Sequence, residues 1–282
     1  MKYITLTLAL IAGIATSSFA QGLKLPALSP TAKIEQSFST SEISIEYSRP
    51  SMRGRKIFGG LVAYGEVWRT GANAATKVTF GEDVNVGGTD VKAGNYALYT
   101  IPGATEWEVI LNKGVGNWGT GGYSTDDDVA RFKVKPSKFN NAAQTFTITI
   151  DDITFNSCDI TLKWENTKVV IPVKANNADR IAKDITKAVE EPNIPYYQAA
   201  SYYNETGQNL DKALEYVSKA IEGRPDAFWM WHLKAKIAKN LGKKDIAIEA
   251  AKKAIEISKG SAYEAEQKRN NEAIIKSLSA KK

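Results

Sequence analysis

The chain of 282 residues has one cysteine and one histidine. A single thiol, Cys158, excludes an intramolecular disulfide. A single imidazole, His232, excludes any metal site or proton relay that needs two histidines. No G-x-S-x-G segment occurs, so the common nucleophile elbow is absent as well. Beyond the first twenty residues no apolar run approaches the roughly 20 residues that cross a bilayer. Charge of one sign is also in short supply. The formal net charge is only +6, spread largely as lysines along helix-like segments, which suits solubility and not nucleic-acid binding. Arginine is the scarcest of the charged residues, with eight in the whole chain.

The first twenty residues stand apart. Lys2 gives a positive start, residues 4–14 an apolar core, and Ser18-Phe19-Ala20 a small-x-small cleavage site before Gln21. No cysteine follows the cut, which argues against a lipid anchor. These features describe a signal peptide removed near Ala20, with the mature protein periplasmic or secreted. Losing Lys2 takes the formal charge from +6 to +5. In an oxidising compartment the lone thiol should be protected. Cys158 shares a strand face with Ile160, Leu162 and Trp164, and a buried, inert thiol is expected there.

From residue 21 to about 175 apolar residues alternate. Strands are expected at 32–38, 42–48, 77–80, 83–86, 89–91, 95–101, 106–112, 129–135, 145–150, 158–164 and 168–173. Gly87-Gly88 reads as a two-residue hairpin turn. Short strands with Gly, Pro, Asn and Asp between them predict an antiparallel β-sandwich or jelly roll.

One connection departs from this pattern. Residues 47–76 hold four of the eight arginines (Arg49, Arg53, Arg55 and Arg69) and the five glycines 54, 59, 60, 65 and 71. Arginine presents a planar, permanently charged fork that holds carboxylate or phosphate in fixed geometry. Glycines at this density mean tight turns or close backbone approach. The stretch is therefore a candidate ligand site, with Tyr47, Tyr64 and Asn73 beside the arginines. The plainer reading is that the arginines tie the loop down by pairing with Glu66 or the 126–128 aspartates.

Other features are weaker. Residues 114–119 match G-x-G-x-x-G, but Thr120-Gly121-Gly122 cannot open the helix that would hold a pyrophosphate. Asp126-Asp127-Asp128 lacks the spacing of a calcium loop and reads as a solvated turn. Trp107 alternates with Val109 and Leu111 and belongs in a core, whereas Trp118 and Tyr123 are candidates for exposed rings.

Six segments carry a resemblance: S-P-x-A from Ser29, Y-S-R-P from Tyr47, R-G-R-K-I-F-G from Arg53, Y-G-E-V-W-R-T-G-A-N from Tyr64, A-G-N-Y-A-L-Y-T-I-P from Ala93 and W-x-V-I-L-N-K from Trp107. Over about residues 25–173 the chain resembles the bacterial family catalogued as domain of unknown function 2911. Alanine stands at position 63 where that family often has proline. The resemblance implies an exported β domain and carries no activity.

Near residue 176 the apolar period changes from two to about 3.6. Residues 178–190 form an amphipathic helix ended by Pro192 and Pro195. Beyond it lies an internal repeat at an offset of 34 residues. Residues 211–222 match 245–256 at seven of twelve positions, and Tyr197 falls opposite Trp231. Ala213 and Ala220 with Pro225, then Ala247 and Ala254, resemble tetratricopeptide repeats, although Lys259 replaces the second proline. Tyr197, Trp231, Leu214 and Ile248 should fill the layer between helices, with residues 261–278 as a cap. His232 reads as a surface or packing residue.

The sequence thus predicts an α+β, multidomain chain: signal peptide 1–20, antiparallel β-sandwich or jelly roll 21–175, and a tetratricopeptide-like helical domain 176–282. The expected function is non-catalytic binding. The arginine loop would take an anionic or polar small molecule or glycan, and the helices a protein partner. No cofactor, metal, nucleic acid or membrane span is expected. The alternative is a cell-envelope lyase or hydrolase in which arginine stabilises an oxyanion, Tyr47 or Tyr64 serves as acid or base, and an aspartate from 126–128 assists. A third reading is a scaffold that uses only the helices. Intact-mass measurement of protein from fractionated cells should find a chain beginning at Gln21; a full-length chain starting at Met1 contradicts the leader.

Overall fold

The computed structural model describes residues 25–188 and 195–279. The expected leader and residues 189–190 of the first expected helix lie outside them. Ten strands fill the first part: β1 (Thr31–Phe38), β2 (Ser41–Ser48), β3 (Thr76–Phe80), β4 (Val84–Val86), β5 (Thr89–Val91), β6 (Gly94–Ile101), β7 (Trp107–Asn112), β8 (Asp128–Val134), β9 (Ser137–Asp151) and β10 (Ser157–Ala175). They make two antiparallel sheets, ordered β1-β2-β3-β6-β7-β8 and β5-β4-β10-β9. The inward residues of both sheets share one core. Ile43, Ile45, Val78, Phe80 and Leu98 from the first meet Val86, Phe146, Ile148, Leu162 and Val173 from the second. The β4–β5 turn needs its glycines: Gly87 and Gly88 have φ of +58° and +93°, and a Cβ on Gly87 would stand 2.2 Å from the Phe132 ring.

Two expected strands prove to be one. Residues 158–164 and 168–173 lie on a single strand, β10, because Glu165-Asn166-Thr167 is a bulge and not a turn. Glu165 takes φ +53°, the pairing with β9 shifts register on either side of it, and Asn166 Nδ2 donates to Phe139 O. β9 also begins eight residues before the expected start. Its first half is largely solvent-exposed, so no apolar alternation betrays it.

The helices are α1 (Ala178–Ala188), α2 (Tyr196–Thr206), α3 (Leu210–Gly223), α4 (Phe228–Asn240), α5 (Lys244–Ser258) and α6 (Glu264–Ser279). The 34-residue offset superposes α2 on α4 and α3 on α5. Ala200, Ala213, Ala235, Ala247 and Ala254 are wholly buried, which lets helix backbones approach closely. The deep layer is filled by Tyr203, Val217 and Ile237. Tyr197, Trp231 and Leu214 pack against that layer as expected, but they and Ile248 are only half-buried. Close approach at the alanines leaves large rings at the rim, where Trp231 Nε1 reaches Pro225 O at 2.9 Å. α6 closes the stack: buried Asn271 sits 2.9 Å from His232 Nδ1 on α4 and donates to Gln267 O.

The start of α1 is clamped to the sandwich. Asn177 donates to Ser39 Oγ and Glu82 Oε2, and Arg180 Nη2 donates to Thr40 Oγ1 at 2.7 Å. Among the described residues, no helix is long and apolar enough to cross a membrane.

Cys158 is 2% exposed, and burial, with Asp159 adding to it, pushes its thiol up to about 11. Native protein at pH 8 should therefore resist a thiol-specific reagent that labels the urea-unfolded chain within minutes. Equal labelling rates in both states contradict the packing described.

Candidate functional site

The connection from β2 to β3 leaves the first sheet and attaches to the second before it returns. Met52 N donates to Gln144 O, Phe146 N donates to Pro50 O, and Ser51 bridges to Thr145 on the edge strand β9. Pro50 suits an edge because it only has to accept. Further on, Trp68 and Thr100 exchange backbone hydrogen bonds at 2.7 and 2.9 Å, just past the β3–β6 pairing. Between these anchors Phe58 and Trp68 enter the core among Trp107, Phe146 and Trp164. Trp68 and Trp164 stack at 5.9 Å with 19° between planes, and Phe58 meets Trp107 edge-on at 4.8 Å.

This arrangement leaves a recess of about 310 Å³ lined by Arg55, Leu61, Glu66, Trp68, Arg69 and Trp164, among others. Arg69 is half-buried and its Nε has no hydrogen-bond acceptor. The indole N–H of Trp164, in a side chain 2% exposed, has none either. These are the two unpartnered buried side-chain donors found among the described residues. A buried donor without an acceptor costs about 1–3 kcal/mol, so both side chains are held in place at a cost to the empty protein. Strain sits next to the recess. Thr70, β-branched and fully buried, takes φ +52°, and Asn73 takes φ +59°. Thr76 Oγ1 donating to Thr70 O at 2.7 Å and the Thr70–Thr100 hydroxyl pair at 3.0 Å hold the bend.

The structure divides the expected site residues. Arg55 and Arg69 line the recess together. Arg49 is turned to β9, with Nε donating to Phe146 O and Nη2 to Thr147 Oγ1. Tyr47 is 4% exposed, and its hydroxyl donates to Ile148 O and accepts from Ile148 N. These two fasten β2 to the second sheet. Arg53 holds Leu28 O, and Asn73 donates to Ser48 Oγ and Ser29 O. Tyr64 is 46% exposed and lies over Gly59, where a Cβ would come within 2.6 Å of the ring. Among the described residues none of the four arginines forms an ion pair; the paired arginines are Arg131 and Arg180. Among the lining residues that sequence reasoning missed, Trp164 comes from farthest along the chain. Its strand face marked it as inward, but nothing in the sequence showed that the loop would end above it.

Residues 29–173 match the family described as protein of unknown function DUF2911. The chain belongs to this family. Residues 230–261 match the tetratricopeptide repeat, spanning most of α4 and all of α5. No curated protein matches the chain.

In this DUF2911 domain the acidic run serves its own neighbourhood. Asp128 accepts from Arg131, Tyr123 and Asn112, so it is no counter-ion for the arginine loop. Burial raises the Tyr123 hydroxyl's pKa, and the Asp128 charge adds to the rise. Residues 114–119 form turns that lead into a short 3-10 turn at Thr125–Asp127. Trp118 on that loop is 73% exposed. Gly119 lies beside Arg69, with Nη1 3.5 Å from where a Cβ would stand.

An arginine held for a ligand should weaken the empty protein. Arg69→Met keeps the apolar stem and removes the unpartnered Nε, so ligand-free unfolding free energy should rise by about 1 kcal/mol. Urea denaturation checks this; a loss of similar size would mean that Arg69 is a structural tie.

Proposed function

We propose that this is an exported, non-catalytic binding protein whose sandwich takes an anionic or polar ligand at the Arg55–Arg69 recess, while its helical repeats hold a protein segment. A domain of unknown function joined to a tetratricopeptide repeat suggests a role in protein interaction. The finer reading is carried by one observation. Arg69 Nε and Trp164 Nε1, the buried donors without acceptors, belong to two residues that line the same recess. An oxyanion entering the recess would meet the guanidinium of Arg69, and charge-assisted hydrogen bonds to guanidinium are the strong ones.

Export is supported by the sequence of residues 1–20. The lyase or hydrolase reading has less behind it, since the Tyr47 hydroxyl is occupied by β9 and Asp128 by Arg131. Tyr64 and residues 126–128 are not among the recess's lining residues.

Thermal unfolding of the mature chain with small carboxylates, sugar acids and phosphate esters, each beside a neutral isostere, tests the recess. At least one anionic class should raise the midpoint. A ligand at about 100 times its Kd stabilises by about 2.7 kcal/mol, and Arg69→Ala should remove the rise. No shift with any anion, or an undiminished shift in Arg69→Ala, overturns the proposal.

A further inference from the structure

The recess holds charges of both signs that do not neutralise each other. Arg55, Glu66 and Arg69 all line it, yet no ion pair joins Glu66 to either arginine. Elsewhere in this chain neighbouring opposite charges do pair: Lys133–Glu106 at 2.7 Å, Lys219–Glu215 at 2.7 Å and Lys236–Glu205 at 3.0 Å. An exposed carboxylate gains only about 0–1 kcal/mol by closing such a pair, so a fixed frame can hold it open. The frame is present. Arg55 is committed by Nε to Met52 O and by Nη2 to Ser51 O. Arg69 stands between the buried ring of Trp68 and the left-handed Thr70.

A ligand complementary to this wall carries an oxyanion for Arg69 and a cation for Glu66, with an apolar part against Leu61, Val62 and Ala63. The volume is at the low end of small-molecule sites, which run from about 300 to 1,000 Å³. A phosphate dianion would meet the Glu66 carboxylate with nothing to offer it. We propose that the ligand is a zwitterion of amino-acid or dipeptide size, with its carboxylate on Arg69 and its ammonium on Glu66. This deepens the binding reading above and rests on it.

Calorimetric titration of the full mature chain with pooled free amino acids and with alanyl-alanine tests the proposal, using N-acetylated and C-amidated forms of the same compounds as controls. A free form should bind, and either cap should weaken it tenfold or more. Glu66→Gln should bring the free and N-acetylated forms within about twofold of each other, while Arg69→Ala should abolish both. Glu66 is exposed, so its replacement should leave the fold intact, and the unfolding midpoint checks that. If N-acetylated forms bind as well as free ones, the zwitterion is wrong and the anion site stands. If no form binds but a sugar acid or phosphate ester does, the zwitterion again fails alone. If nothing binds, the recess is not a ligand site and both readings fall.

Discussion

The β2–β3 connection is sewn to both sheets, and the candidate site depends on that double attachment. Backbone pairing with β9 fixes its start, and the exchange between Trp68 and Thr100 fixes its end. Phe58 and Trp68 then place two large rings in the shared core, each buried to within 8%. Burying each such ring contributes about 1.5–3 kcal/mol, so the two together are of the size needed to offset the bend at Thr70 and one orphaned donor, at about 1–3 kcal/mol each. A connection so fastened can keep opposite charges apart and a donor empty. A floppy loop would collapse to satisfy both.

Much of the architecture was legible before any coordinates. Ile43, Ile45 and Tyr47 alternate, and all three are buried on one face of β2. The change of period near residue 176 falls just before α1, and the 34-residue offset maps helix onto helix. Legibility failed where burial gives no pattern. The first half of β9 is mostly exposed, and the bulge at Glu165 uses residues that ordinarily make turns. In the helical half, alanines revealed close packing but not that Tyr203 would be the deeply buried ring, with Tyr197 packed half-buried against the same cluster.

The site was half legible for a related reason. Scarce arginines crowded into one glycine-rich stretch point to a special loop, and that is as far as composition goes. Which forks face a cavity is decided by long-range contacts. Arg49 is captured by a strand about 97 residues away, and Trp164 reaches the recess from β10. The residues that shape the loop and those that line the cavity are interleaved in sequence, so Arg53 and Arg55 look alike until the fold separates them.

The two halves meet in a way that leaves the recess to the sandwich. Asn177 and Arg180 tie α1 to the β1–β2 turn and to Glu82, none of which lines the recess. The central claim is that the Arg69 guanidinium, its buried Nε unpartnered, is held for a ligand. Proton–nitrogen correlation spectra of arginine Nε–H groups, with the Arg69 signal assigned from Arg69→Lys, test it most directly. The account predicts an Arg69 signal characteristic of no strong acceptor in the free protein and a change in its position on saturation with ligand, whose oxyanion meets the same guanidinium. A signal already shifted downfield in the free protein, or one that ligand binding leaves unmoved, would contradict it.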